Sequence, residues 1–135
     1  MIFLDSSFLI AYKIENDSHH AEAKKIMSEI VSGNHGRVFI SDYIFDETIT
    51  VVFARSRKLS EASDLGEKIE KSIKMLKIDE KNFNDAWEIF KNQKNTNLSF
   101  TDCSSISIMK NNDIKNIATF DKAFTKIKDI NVIMN

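Results

Sequence analysis

Apolar residues follow two rhythms along the chain. Short runs rich in β-branched and aromatic residues have the length and composition of buried strands: "IFL" at 2–4, "VFI" at 38–40, "MLKI" at 75–78, "IATF" at 117–120 and "NVIM" at 131–134. Between them the apolar spacing stretches to three and four residues. Ala21, Ala23, Ile26, Met27 and Ile30 mark one predicted helix, and "DYIFDETITVVFARS" at 42–56 a second. Leu65, Ile69 and Ile73 mark a third. Phe83, Ala86, Trp87 and Phe90 mark a fourth, whose aromatic stripe reads as core. A fifth follows from "LSFTDCSSISIMK", Leu98 to Lys110, with Ile106 and Met109 turned inward. Strands separated by helices require right-handed crossovers and hence a parallel sheet covered on both faces. The pattern predicts an α/β fold, a three-layer α/β/α sandwich on a five-stranded, mainly parallel sheet.

Breakers are scarce. There is no proline, and Gly33, Gly36 and Gly66 are the only glycines, so regular elements should be joined by short polar turns. No linker, repeat or low-complexity segment divides the 135 residues, which predicts a single domain over 1–135. Composition leaves this picture intact, because 42% hydrophobic and 29% charged residues are ordinary for a globular protein. The net charge of −1 removes any large basic field for a polyanion but allows a local basic face. Cys103 is the only cysteine, so no intrachain disulfide forms and a reducing compartment is expected. No apolar run reaches the ~18 residues of a membrane span. The start "MIFLDSS" lacks a basic segment and meets an acid early, unlike a signal peptide. A cytoplasmic protein is expected.

In a parallel sheet, ligands bind beyond the carboxyl ends of the strands, so the polar residues just after each strand carry the candidate chemistry. Asp5, with Ser6 and Ser7, follows the first strand. Ser41 and Asp42 follow the second, with Asp46 and Glu47 one turn further on, and Asp121 follows the fourth. Asp102 opens the helix that leads into the fourth strand, and topology decides which edge it faces. Each acid has an ordinary structural explanation. Asp5, Asp42 and Asp121 stand where an N-cap would, and Ser99 with Asp102 has the S-x-x-D spacing of a capping box. Glu47 fits that explanation less well. It flanks an apolar stripe inside a helix, where acids are rare unless paired or metal-bound, although spacing alone leaves Asp46 equally open.

The acids are more informative together. Carboxylates gathered on one sheet edge without matching cations repel one another, and a bound cation offsets that cost. Hard divalent ions take oxygen ligands, and Mg²⁺ in particular uses one or two carboxylates while keeping waters for a phosphate. The chemistry implied is metal-assisted phosphodiester hydrolysis.

On "FLDSSFLIAY", "SDYIFDETITVV", "LSFTDCSSISIM" and "IATFDKAF", in this order and spacing over essentially the whole chain, the sequence resembles the PIN-domain ribonucleases, and among them the small VapC-type toxins. The resemblance carries the family's acidic quartet onto Asp5, Glu47, Asp102 and Asp121 as metal-binding and catalytic residues, and chooses Glu47 over Asp46. It places supporting hydroxyls at Ser6 and Thr101. It implies Mg²⁺- or Mn²⁺-dependent endoribonuclease activity, a homodimer, and inhibition by a small antitoxin protein. The chain departs from the family's usual pattern in lacking proline and in its near-neutral charge.

Other features carry less. Arg55, Arg57 and Lys58 are candidate RNA-phosphate contacts, with Lys94, Lys110 and Lys122 as looser ones. The competing reading of "RSRK" is a solvated helix end whose cations complement the dipole, and that reading is favoured. His19, His20 and His35 have no zinc-type spacing and read as surface residues. Cys103 reads as a buried thiol. No phosphate-binding glycine motif is present. The rival readings are a phosphoacceptor receiver domain using Asp79, a residue equally suited to cap the helix from Glu80, a non-toxin PIN nuclease in RNA processing, and a PIN fold kept only for binding.

Overall fold

The structure, a computed structural model, describes residues 1–134; Asn135, the last residue of the predicted domain, lies outside them. The chain runs β1 (Ile2–Leu4), α1 (Ser6–Lys13), α2 (His20–Val31), β2 (Val38–Ser41), α3 (Asp42–Ser56) and α4 (Leu59–Ser72). It continues through β3 (Lys74–Leu76), α5 (Glu80–Lys91), α6 (Phe100–Asn111) and β4 (Asn116–Ala118), then a 3-10 turn at Lys122–Lys126 and β5 (Asn131–Ile133). All strand pairs are parallel, in the order β3-β2-β1-β4-β5. The predicted α/β architecture is therefore the observed one.

The strand order carries the functional consequence. The chain winds outward from β1 through β2 to β3, then crosses back to β4 and β5, so it reverses direction between β1 and β4. At such a reversal the connections leave in opposite directions and open a crevice at the carboxyl ends of the strands. Asp5 and Asp121 follow the two strands that flank that crevice. Ile2, Phe3 and Leu4 of the central strand are fully buried, as a strand with neighbours on both sides and helices on both faces must be.

Helix α1 has no counterpart among the predicted elements. Ser6, Phe8, Leu9, Ile10 and Ala11 are all buried, so the helix shows no polar face and no helical rhythm in its first turns. Helix α3 begins one residue earlier than the Asp42 cap predicted. Ser41 is its N-cap, accepting the Ile44 N–H at 3.1 Å, while Asp42 accepts the Ile78 N–H at 2.9 Å and so fastens the end of β3 to α3. Asp79 caps α5 as expected, in a capping box with Asn82.

The α5 aromatics do not form core. Ala86 is fully buried, but Phe83 and Trp87 are 47% exposed and Phe90 38%. They pack on one another and on Phe100 at the start of α6, with Phe83–Phe100 centroids 5.1 Å and Trp87–Phe90 centroids 5.8 Å apart. Helical spacing identifies an apolar face, but it does not say whether the same chain covers that face.

Candidate active site

Four acids approach one another at the carboxyl edge of the sheet, each delivered by a different element. Asp5 ends β1 and stands at the N-cap position of α1, yet its side chain makes no capping bond. It is 3% exposed, and its Oδ2 accepts hydroxyl bonds from Ser7 and Thr119, both at 2.7 Å. Its Oδ1 is buried without a hydrogen-bond partner. Asp121 follows β4, where its Oδ1 caps the 3-10 turn through the Ala123 N–H at 2.9 Å and its own N–H donates to Thr119 Oγ1 at 3.0 Å. Asp102 lies in the first turn of α6. The predicted capping box is present: Ser99 Oγ accepts the Asp102 N–H at 3.1 Å, and Asp102 Oδ2 accepts the Ser99 N–H at 2.9 Å. Capping occupies one carboxylate oxygen and leaves the other available.

Glu47 comes from one turn inside α3, and here the structure separates it from its neighbour. Adjacent helical residues point about 100° apart. Asp46 is exposed, whereas Glu47 is half-buried, with the hydroxyls of Ser6 and Thr101 close enough to its carboxylate to oppose the rise that burial causes. Those two hydroxyls, at the starts of α1 and α6, thus meet on one carboxylate.

Burial and like charge disfavour the ionised forms of three of these acids. Burial raises the Asp5 carboxyl above its ordinary range, against the Thr119 and Ser7 bonds, and Asp121 raises it further. Burial and then Asp5 raise Glu47. Asp102 is pushed up to about 6, first by burial and then by the charges of Asp5 and Asp121. Among the described residues, no ion pair reaches any of the four. Nor are three His, Cys, Asp or Glu side chains arranged to enclose a metal ion by themselves. Mg²⁺ and Mn²⁺, hard ions that bind through one or two carboxylates and complete their shells with water and phosphate oxygens, do not require such an enclosure. The buried, unpartnered Oδ1 of Asp5, raised by burial and like charge, is the donor such an ion would satisfy.

Residues 2–130 match the PIN domain as a sequence family. The chain belongs to the PIN-domain family. This PIN domain is 24% identical over 125 residues to the 23S rRNA-specific endonuclease VapC20 of Mycobacterium tuberculosis, a match covering 93% of this chain and 92% of that one. The crystal structure of the M. tuberculosis protein, described as a Sarcin-Ricin loop cleaving toxin, superposes with a TM-score of 0.81 at 23% identity and covers 93% of each chain. VapBC2 from Rickettsia felis, solved bound to a DNA fragment from its promoter, gives 0.73 at 12% identity over 98% of each chain. FitAcB from Neisseria gonorrhoeae gives 0.71 at 18% identity, covering 98% of this chain and 96% of that one.

Ser7, named from the sequence only as a polar residue after the first strand, and Thr119, not named at all, both donate to the Asp5 carboxylate of this PIN domain. The available signal was a hydroxyl two residues from each strand-end acid, at Asp5 and Asp121. Replacing Thr119 with Val removes a bond to Asp5 and the support of the Asp121 N–H at nearly constant volume. Outer hydrogen bonds of this kind typically change metal affinity or activity about 10–100-fold. Thr119→Val is expected to lower metal affinity within that range, measured by calorimetric titration, and unchanged affinity would rule out a supporting role.

The remaining candidates are mostly placed elsewhere. Arg55 is engaged by Asp17 at 3.0 Å, Arg57 turns the chain at the C-cap of α3 with φ 58°, and Lys58 is exposed. Cys103 is fully buried, and burial raises its thiol to about 11, so it is unreactive packing. His20 is less exposed than predicted, its Nδ1 lying 2.8 Å from the Ala11 carbonyl oxygen, and His35 is also half-buried. No helix among the described residues is long and apolar enough to cross a membrane.

Proposed function

We propose that this PIN domain is a divalent-metal-dependent endoribonuclease, the toxin of a toxin–antitoxin pair, acting in the cytoplasm. The observation that carries the reading is the buried Asp5 carboxylate at the β1/β4 reversal, with Glu47, Asp102 and Asp121 repelling it or one another and, among the described residues, no cation paired with any of them. Asp5, Glu47, Asp102 and Asp121 would hold Mg²⁺ or Mn²⁺ in this proposal. The bound ion supplies Lewis acidity toward the phosphate and lowers the pKa of its water. Ser6 and Thr101 fix the Glu47 carboxylate, whose raised proton affinity suits it to take a proton from the attacking water. Asp121, anchored by the Thr119 hydroxyl and the Ala123 N–H, keeps its position while charge changes beside it.

The 23S rRNA-specific endonuclease activity of the M. tuberculosis relative supports RNA as substrate, and the VapBC structural neighbour supports a small antitoxin partner. The exposed aromatic face of α5 supports a homodimer, since such a face is stabilised by an apolar surface of another chain. Arg57 and Lys58, free of the Asp17 pairing that holds Arg55, remain the stronger of the proposed phosphate contacts. A receiver domain is disfavoured, because the Asp79 carboxylate is engaged in capping α5.

The test is cleavage of structured RNAs by the purified protein with and without a chelator. The reading requires cleavage that chelation abolishes and added Mg²⁺ or Mn²⁺ restores. Growth arrest on expression, relieved by the adjacent small reading frame, identifies the toxin role, whereas cleavage without arrest identifies an RNA-processing nuclease.

A further inference from the structure

Between the acidic edge and the basic end of α3 stands a pair of stacked rings. His19, just before α2, lies on Phe120 with ring centroids 4.3 Å apart and planes inclined by only 8°. Phe120 is half-buried and backed by Phe8 at 6.1 Å, while the His19 side chain keeps 50% of its surface exposed. Half of the His19 side chain is therefore open to solvent, with Glu22 Oε2 lying 3.9 Å from its Nδ1.

Hydrogen bonds tie this ledge to the acids on one side and to a cation on the other. The Phe120 N–H donates to Ser7 Oγ at 3.0 Å, and the same hydroxyl donates to Asp5 Oδ2 at 2.7 Å. Phe120 also immediately precedes Asp121. On the far side, the His19 N–H donates to Asp17 Oδ1 at 2.9 Å, and Arg55 Nη1 donates to Asp17 Oδ2 at 3.0 Å. Despite partial burial, the His19 N–H and Arg55 hold the Asp17 carboxyl below its ordinary range, so that anchor stays charged. One continuous path of contacts thus runs from Asp5 through Ser7, Phe120, His19 and Asp17 to Arg55.

Resting on the ribonuclease reading above, we propose that the His19–Phe120 stack is the platform on which an unpaired base of the RNA substrate lies, setting the adjoining phosphate at the acidic edge. Single-stranded RNA is recognised by stacking splayed bases on aromatic and histidine rings, a contact open to every base because each has a π-face. The chemistry of this chain favours that mode. With a net charge of −1 and four carboxylates at the site, it lacks the field to hold RNA by phosphate attraction alone, so base stacking has to supply affinity. The coupling of the ledge to Asp5 then converts base stacking into phosphate positioning.

The test uses His19→Ala and His19→Tyr in the full chain, with a single-stranded oligoribonucleotide carrying 2-aminopurine as probe. Stacking quenches the probe's fluorescence. The Ala variant is expected to bind about tenfold more weakly, within the range for loss of a base-stacking ring, with a similar fall in kcat/KM carried mainly by KM. The Tyr variant, which keeps a stacking ring, is expected to restore most of both. Wild-type binding in the Ala variant, or a Tyr variant as weak as the Ala one, overturns the platform. A wild-type protein that cleaves RNA alongside an indistinguishable Ala variant sinks the platform and leaves the nuclease standing. Quenching that depends on His19 in a protein unable to cleave RNA sinks the nuclease and leaves the platform.

Discussion

Asp102→Asn is expected to lower RNA cleavage by about 10²–10³-fold, the loss that follows removal of a preorganised charge-stabilising group, without loss of fold. The substitution separates the two roles of this residue. Asn keeps an oxygen that can accept the Ser99 N–H, so the capping box at the start of α6 persists. It removes a charge that burial and the carboxylates of Asp5 and Asp121 already disfavour. Ser99→Ala is the complementary change. It deletes the hydroxyl that accepts the Asp102 N–H, at a cost of about 1 kcal/mol, and leaves the Asp102 carboxylate in place. Measured by urea unfolding and by initial cleavage rates, Asp102→Asn should lose activity while holding stability, and Ser99→Ala should do the reverse. An Asp102→Asn protein with near-normal rates would reduce Asp102 to a structural cap.

Metal-free protein is expected to melt higher at about pH 5 than at about pH 7.5, and added Mg²⁺ should remove much of that difference. The sign follows from the direction of the shifts. Asp5, Glu47 and Asp102 are all raised, so the folded chain binds their protons more tightly than the unfolded chain does. Stability is then greatest where the folded state holds those protons. It falls as pH rises from the ordinary carboxyl range through the folded value, about 6 for Asp102. The lowered acids Asp17, Glu61, Asp85 and Glu88 lose their contribution only at lower pH, below this window. Asp102 is partly solvated, so screening limits its share to about 1–2 kcal/mol, or roughly 5 °C in Tm. Protons and Mg²⁺ compete for the same oxygens, so the metal should raise Tm more at about pH 7.5 than at about pH 5. Differential scanning calorimetry decides it. Indifference to metal at both pH values, or metal-free stability that climbs across this window, would remove the metal from the site.

The pattern of apolar residues was enough to define the layers of this PIN domain. β1, β2 and β4 are short apolar runs because they lie inside the sheet, and α2 and α4 show helical spacing because each buries one face and solvates the other. The same logic concealed α1, whose first turns are buried on nearly every side and so leave no rhythm to read. It also misplaced Phe83, Trp87 and Phe90, because an apolar stripe looks the same whether its cover comes from the chain or from a partner. The acids were visible one at a time, all but Glu47 indistinguishable from caps, and those three do occupy capping positions or a capping box: Asp5, Asp102 and Asp121.

The sequence by itself determined the alternation of strands and helices and the residues able to bear negative charge near the strand ends. Those are local properties, fixed by side-chain chemistry and by periods of two and 3.6 residues. Only the tertiary structure decided that β1 lies beside β4. That pairing brings Asp5 within hydrogen-bond reach of Thr119, 114 positions along the chain. The physical reason is that repulsion among carboxylates, and any ion that relieves it, depends on distance in space, which strand order sets and sequence separation does not.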